Sequence, residues 1–141
     1  MSPPNATARL VVDTGVASFV FKWHPNFAPR YVRIIRGFEL VLSFMTLAEM
    51  GQGALNANWG QRKCDLLEEY LGDFSVLHSD NRLCSTWAAI RNESARKGRP
   101  MSSADAWIVA TALVLPTPLV ANNPKDYHHL DNLQLVSAVA I

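Results

Sequence analysis

The sequence predicts an α/β protein with a parallel sheet covered on both faces by helices. Three observations lead there. Five short apolar runs are continuous rather than alternating, as strands buried on both faces are. Between them lie segments whose apolar residues recur at helical spacing. Ser, Asp, Gly and Pro stand at the junctions, where helices start and stop. Strands alternating with helices in this way build a parallel sheet between helical layers.

Arg9-Leu10-Val11-Val12 is the first strand, ended by Asp13-Thr14-Gly15. Val16 to Lys22 reads as a short helix, and Pro25 and Pro29 mark a break. Tyr31, Ile34, Ile35 and Phe38 then recur at helical spacing, with Arg30, Arg33 and Arg36 between them. Leu40-Val41-Leu42 is the second strand. Helices follow over Phe44 to Asn56 and Gln61 to Leu71; in the latter Cys64, Leu67 and Leu71 face inward and Glu68 and Glu69 face water. Phe74-Ser75-Val76-Leu77 is the third strand. Ser79 or Asp80 caps a long helix that ends at Gly98, with Arg96 and Lys97 in its last turn. Ser102 begins another helix, carried by Ala104, Ile108, Val109 and Ala112 and stopped by Pro116. Leu119-Val120 is the fourth strand and Leu133-Gln134-Leu135-Val136 the fifth.

A length of 141 residues fits one domain. Residues 1–8 are polar, contain Pro3 and Pro4, and read as a disordered N-terminal extension rather than a signal peptide. Residues 9–141 form the single domain. The content of 49% apolar and 18% charged residues excludes intrinsic disorder. Thirteen Lys and Arg against twelve Asp and Glu leave a net charge of +1, so any nucleic-acid contact must come from a local patch. The uncharged stretch from Ala106 to Asn123 is broken by Pro116 and Pro118, and about 20 predominantly apolar residues are needed to span a bilayer. Cys64 and Cys84 are too few for a disulfide framework or a Cys-rich zinc site and read as reduced thiols. Together these features predict a cytoplasmic protein without a membrane segment.

Most of the acids lie in polar stretches or, like Glu39, at the exposed start of a strand. Three do not. Asp13 follows Leu10-Val11-Val12, Glu49 lies in Phe44-Met45-Thr46-Leu47-Ala48-Glu49-Met50, and Asp105 precedes Ala106-Trp107-Ile108-Val109. Each has a local explanation. Asp13 can cap the helix after the first strand. Thr46-x-x-Glu49 and Ser102-x-x-Asp105 both fit a capping box. Taken together, they occupy positions that gather at the carboxyl edge of an open parallel sheet, where ligands bind. Clustered, partly desolvated carboxylates repel unless a cation intervenes, and hard oxygen ligands suit Mg²⁺ or Mn²⁺.

Four segments, in order, resemble PIN-domain ribonucleases, and most closely the VapC toxins of bacterial toxin–antitoxin pairs. They are Leu10 to Gly15, Leu42 to Met50, Gly98-Arg99-Pro100-Met101-Ser102-Ser103-Ala104-Asp105 onward to Ala112, and Leu119-Val120-Ala121-Asn122-Asn123-Pro124-Lys125-Asp126-Tyr127. The resemblance spans about residues 9 to 137. It implies a PIN-like three-layer α/β/α fold with a five-stranded parallel sheet, and Mg²⁺- or Mn²⁺-dependent endoribonuclease activity. It also implies a homodimer and a small VapB-like antitoxin. Asp13, Glu49 and Asp105 fall on the family's acidic metal-binding positions. Gly15 stands where the family often has Asn or Ser, and Ala121 where Thr is usual. The fourth acid appears in the family at one of two places, here held by Asn123 and Asp126; the full negative charge of Asp126 favours it, with Asn123 in support. A catalytically silent PIN-like domain that binds RNA or a protein partner is the alternative.

Thr14 either orients Asp13 or a metal-bound water, or is a polar turn residue. Arg91, Arg96, Lys97 and Arg99 either grip RNA phosphates or stabilise a helix C-terminus. His128-His129 has no third soft ligand nearby and reads as a surface pair. Trp23, Trp59, Trp87 and Trp107 read as core or interface residues. The apolar faces of Leu47, Met50 and Ala54 with Trp59 exceed what one small core needs and suggest association. No Gly-rich phosphate loop is present, and no acid stands two residues beyond Asp13 as in aspartyl-phosphate phosphatases.

Overall fold

The computed structural model describes residues 8–139, so the expected N-terminal extension falls almost wholly outside the described residues. Five strands and six α-helices follow in the order β1 (Arg9–Val12), α1 (Thr14–Lys22), α2 (Ala28–Ile35), β2 (Glu39–Ser43), α3 (Phe44–Asn56), α4 (Gln61–Gly72), β3 (Ser75–Leu77), α5 (Asn81–Arg96), α6 (Ser103–Val114), β4 (Leu119–Val120) and β5 (Leu135–Val136). A 3₁₀ turn covers Pro124–Asp126. All strands are parallel, in the order β3-β2-β1-β4-β5. Register pairs Val11 with both Val41 and Leu119.

Successive strand residues point to opposite faces. Leu10 and Val12 of β1, Leu42 of β2 and Val120 of β4 face a core completed by residues of α1 to α4, including Val16, Tyr31, Met50 and Leu67. Val11, Val41 and Leu119 face the other core, with Leu83 and Ile90 of α5 and Ile108, Val109 and Ala112 of α6. The three layers and the inward face of α6 agree with the sequence expectations.

The departures are local. α1 starts at Thr14 rather than Val16, because Asp13 is its N-cap: the Val16 N–H donates to Asp13 Oδ1 at 2.8 Å. α2 stops at Ile35, so Phe38 leaves the helical series; Gly37, at φ 83°, turns the chain into β2. Met50 and Ala54 are buried in the second core, and Leu47 and Trp59 pack against it partly buried. The large apolar residues that are exposed are instead Trp23, Phe38, Leu55, Leu66 and Val139. Cys64 and Cys84 are both free thiols. Among the described residues, no helix is long and apolar enough to cross a membrane.

The topology positions one edge. From β1 the chain moves outward to β2 and β3, then returns to the other side of β1 for β4 and β5. The crevice at such a reversal opens at the carboxyl ends of the strands. Asp13 directly follows β1 and its N–H donates to Val120 O at 3.0 Å. α6 leads into the start of β4, so its other end, which carries Asp105, lies at the same carboxyl edge.

Candidate active site

Asp13 is 7% exposed. Burial pushes its carboxyl up to about 7 from an ordinary 3.8; the Val16 N–H opposes this, and the charges of Asp105, Glu49 and Asp126 add to it. Three acids from three other segments thus act on Asp13, which is the most buried of the four. Asp13 is a helix cap and a member of this cluster at once, and the two readings of the sequence do not compete there.

Glu49 is half-buried on α3. Its capping-box reading fails because the helix begins three residues earlier: Ser43 is the cap, accepting from the Met45 N–H at 3.1 Å. Glu49 Oε1 instead accepts from the Thr14 hydroxyl at 2.7 Å. Thr14 Oγ1 also lies 3.0 Å from Thr46 Oγ1. The single Thr14 proton thus faces two acceptors, the Glu49 carboxylate at the shorter distance and the Thr46 hydroxyl oxygen. Thr14 therefore contacts Glu49, a partner absent from the sequence alternatives of Asp13, a metal-bound water or a plain turn role. Thr46 is fully buried, and its part in this chain was hidden by its fit to the capping pattern.

Asp105 is half-buried in the first turn of α6. Ser102 caps that helix by accepting from the Asp105 N–H at 3.1 Å, which is half of the expected box. The Asp105 side chain is engaged elsewhere: the Tyr127 hydroxyl donates to its Oδ1 at 3.3 Å. Tyr127 is 3% exposed, and burial together with the surrounding acids holds its phenol well above the usual range. Sequence reading passed over it, as nothing distinguishes a buried Tyr beside Asp126 from a core residue. Asp126 is exposed, and its Oδ2 accepts from the Asn123 amide at 2.9 Å.

Asp105 and Asp126 share a cleft of about 360 Å³ with Arg99, Met101, Ser102 and His129. The basic run divides here. Arg99 stands at the cleft and donates to Lys125 O at 2.9 Å. Lys97 is paired with Glu93 and Asp131 and donates to His129 O at 2.6 Å. Arg91 lies over the Trp87 ring and donates to Met101 O. Arg96 is exposed. Trp87 stacks on Trp107 with centroids 4.9 Å apart, which keeps both in packing roles. His128 is exposed, but His129 departs from the surface expectation. It is half-buried, its Nε2 lies 3.0 Å from Ser94 Oγ, and burial and nearby cations hold its ring below the usual imidazole range.

The donors at this edge are carboxylate and amide oxygens, the set a hard divalent cation prefers. Among the described residues, no three His, Cys, Asp or Glu side chains already converge in ligand geometry. The acids are neighbours by charge, and the desolvation of Asp13 is left without a counter-charge among the hydrogen bonds it makes.

A family model described as PIN domain matches residues 10–133. Ribonuclease VapC1 of Haemophilus influenzae (strain R2866) is 27% identical over 125 residues, 88% of this chain and 93% of that protein. The tRNA(fMet)-specific endonuclease VapC of Shigella flexneri is 25% identical over 126 residues, 89% of this chain and 95% of that protein. Among solved structures, VapBC2 from Rickettsia felis bound to a promoter DNA fragment superposes with a TM-score of 0.81 at 19% identity, covering 93% of this chain and 99% of that one. VapBC-1 from nontypeable Haemophilus influenzae does so with a TM-score of 0.77 at 26% identity, covering 92% and 97%.

Proposed function

Because this chain belongs to the PIN-domain family, we propose that Asp13, Glu49, Asp105 and Asp126 hold Mg²⁺ or Mn²⁺ for the hydrolysis of RNA phosphodiester bonds. The chain is an endoribonuclease of the VapC type, the toxin of a VapBC pair. One observation carries the metal reading: Asp13 is buried beside three other acids that all raise its pKa. A protein that spends stability on such a cluster needs a counter-charge there.

A divalent ion bound there lowers the pKa of water and neutralises charge on the scissile phosphate. The chain's own residues then have defined tasks. Thr14, whose hydroxyl lies between Glu49 and the buried Thr46, orients the Glu49 carboxylate. The Asn123 amide donates to the Asp126 carboxylate, which supports Asp126 as the fourth acid with Asn123 beside it. Arg99, at the cleft shared by Asp105 and Asp126, meets an RNA phosphate. Lys97 is occupied by two acids and a carbonyl and contributes less to that grip.

Purified protein loses RNA cleavage in EDTA and regains it with Mg²⁺ or Mn²⁺. Undiminished cleavage in chelator overturns the metal assignment, and no cleavage under any condition favours the silent, RNA-binding alternative.

The protein acts in the cytoplasm on RNA, as a homodimer restrained by a small VapB-like antitoxin. Exposed Trp23, Leu55 and Leu66, at 57, 78 and 49% accessibility, are the apolar surface available for association. Co-expressed with a small protein encoded beside it, the chain purifies as a stable complex; alone it scatters light as a dimer at micromolar concentration. A monomer that captures no such partner counts against both associations.

A further inference from the structure

We propose that the buried hydroxyl of Tyr127 is a positioning group for Asp105, tethering the end of α6 to the turn that carries Asp126. The contact stands on geometry alone, and its consequence for catalysis rests on the metal reading above.

Tyr127 packs in the core beneath α6 with Ile108, Val109 and Leu130. A Phe fills the same space, so packing does not require the oxygen. A buried hydroxyl must find a partner or lose its hydrogen bond to water. Its partner is Asp105 Oδ1. Conversely, that hydroxyl is the one hydrogen-bond donor to the Asp105 carboxylate among the described residues, since the Asp105 N–H goes to Ser102. The rest of the local field is negative: Asp13, Asp105 and Asp126 all act on Tyr127. Arg99 lines the same cleft but makes no hydrogen bond to Asp105, so among the described residues the Asp105 rotamer depends on this single donor. The 3.3 Å separation is long for O–H···O, so the hydroxyl tethers the carboxylate rather than locking it. Tyr127 directly follows Asp126, which ends the 3₁₀ turn. One hydrogen bond thus ties Asp105 to the residue next to Asp126, the other acid of the cleft. A donor that orients a metal-binding carboxylate acts on affinity through the ligand it holds.

The test uses Tyr127→Phe, Asp105→Ala and the double variant of the full chain. In EDTA, thermal melts of the four proteins form a cycle. The two substitutions are expected to be non-additive by about 3 °C, because the second removes a bond the first has already broken. Additive melts overturn the tether, whatever the protein's activity. With Mn²⁺, titration of Tyr127→Phe against wild type is expected to show affinity weakened about 10-fold, the lower end for loss of such an orienting donor. At saturating Mn²⁺, KM for RNA stays near the wild-type value. Unchanged Mn²⁺ affinity, with only a lowered melting temperature, reduces Tyr127 to a packing residue and overturns the positioning role. If wild type binds no Mn²⁺, it is the metal reading that fails; the cycle in EDTA still decides the tether.

Discussion

Replacing Asp105 by Asn abolishes RNA cleavage and leaves the protein folded. The helix cap survives the change, because it uses the Asp105 N–H and the Ser102 hydroxyl rather than the carboxylate. The Tyr127 hydroxyl keeps an acceptor, since the Asn carbonyl oxygen takes the place of Oδ1. What disappears is a negative charge that raises the pKa of Asp13 and, in the proposed site, holds the cation. kcat is expected to fall by about 10²-fold or more, the scale of removing one group that stabilises charge in a transition state. The melting temperature without metal stays level or rises. Had Asp105 been a capping residue only, stability would drop by about 0.5–2 kcal/mol with activity per folded molecule retained. Cleavage rates and melts on one preparation separate the two; full specific activity in Asp105→Asn removes Asp105 from the site.

Asp13→Asn makes the metal-free protein markedly more stable at pH 8 and much less so at pH 5. The folded carboxyl titrates at about 7 and the unfolded one at 3.8. Between these values the folded state keeps a proton that the unfolded state has released, so stability falls as pH rises through the window. Each pH unit costs about 1.4 kcal/mol, and the whole window on the order of 4 kcal/mol. Above pH 7 the buried charge is fully formed and uncompensated. Asn caps a helix about as well as Asp, so the Val16 N–H keeps its partner while the charge is gone. In EDTA at pH 8 the variant should melt roughly 10 °C above wild type. At pH 5 wild-type Asp13 is neutral in the folded state but already ionised in the unfolded one, so the gap should shrink to roughly a third and close only below the unfolded value of 3.8. Mn²⁺ should raise the wild-type melt at pH 8 and leave the variant's nearly still. An equal shift at both pH values means that Asp13 is charged without penalty and needs no cation.

Much of this site was legible because acids in apolar company break a strong rule. Asp13 after Leu10-Val11-Val12 and Asp105 before Ile108-Val109 stood out for that reason, and the parallel sheet supplied the edge where they meet. The bounds of α3 and the Ser102 cap of α6 were read directly, since each start signal immediately precedes its helix. Misreadings came where two local signals compete. Thr46 and Glu49 have capping spacing, but Ser43 lies closer to the strand end and takes the cap, freeing both side chains for Thr14. Phe38 continues a helical spacing that Gly37 cuts. Tyr127 and His129 were missed for another reason. Their polar atoms meet Asp105 and Ser94, which are 22 and 35 residues away, and pairing at that distance is set by the fold and not by any local pattern.

The strand order also has a consequence in time. Asp13 and Glu49 leave the ribosome early, but the edge that gathers them with Asp105 and Asp126 needs β4 beside β1, where the Asp13 N–H is held by Val120 O. A nascent chain cannot form that pairing until Val120 has been translated. The four acids are therefore not assembled until β4 and Asp126 have been made, and a product truncated before Val120 lacks the strand that brings them together. Any RNA-cutting capacity of the cluster is withheld from the machinery making it until that point.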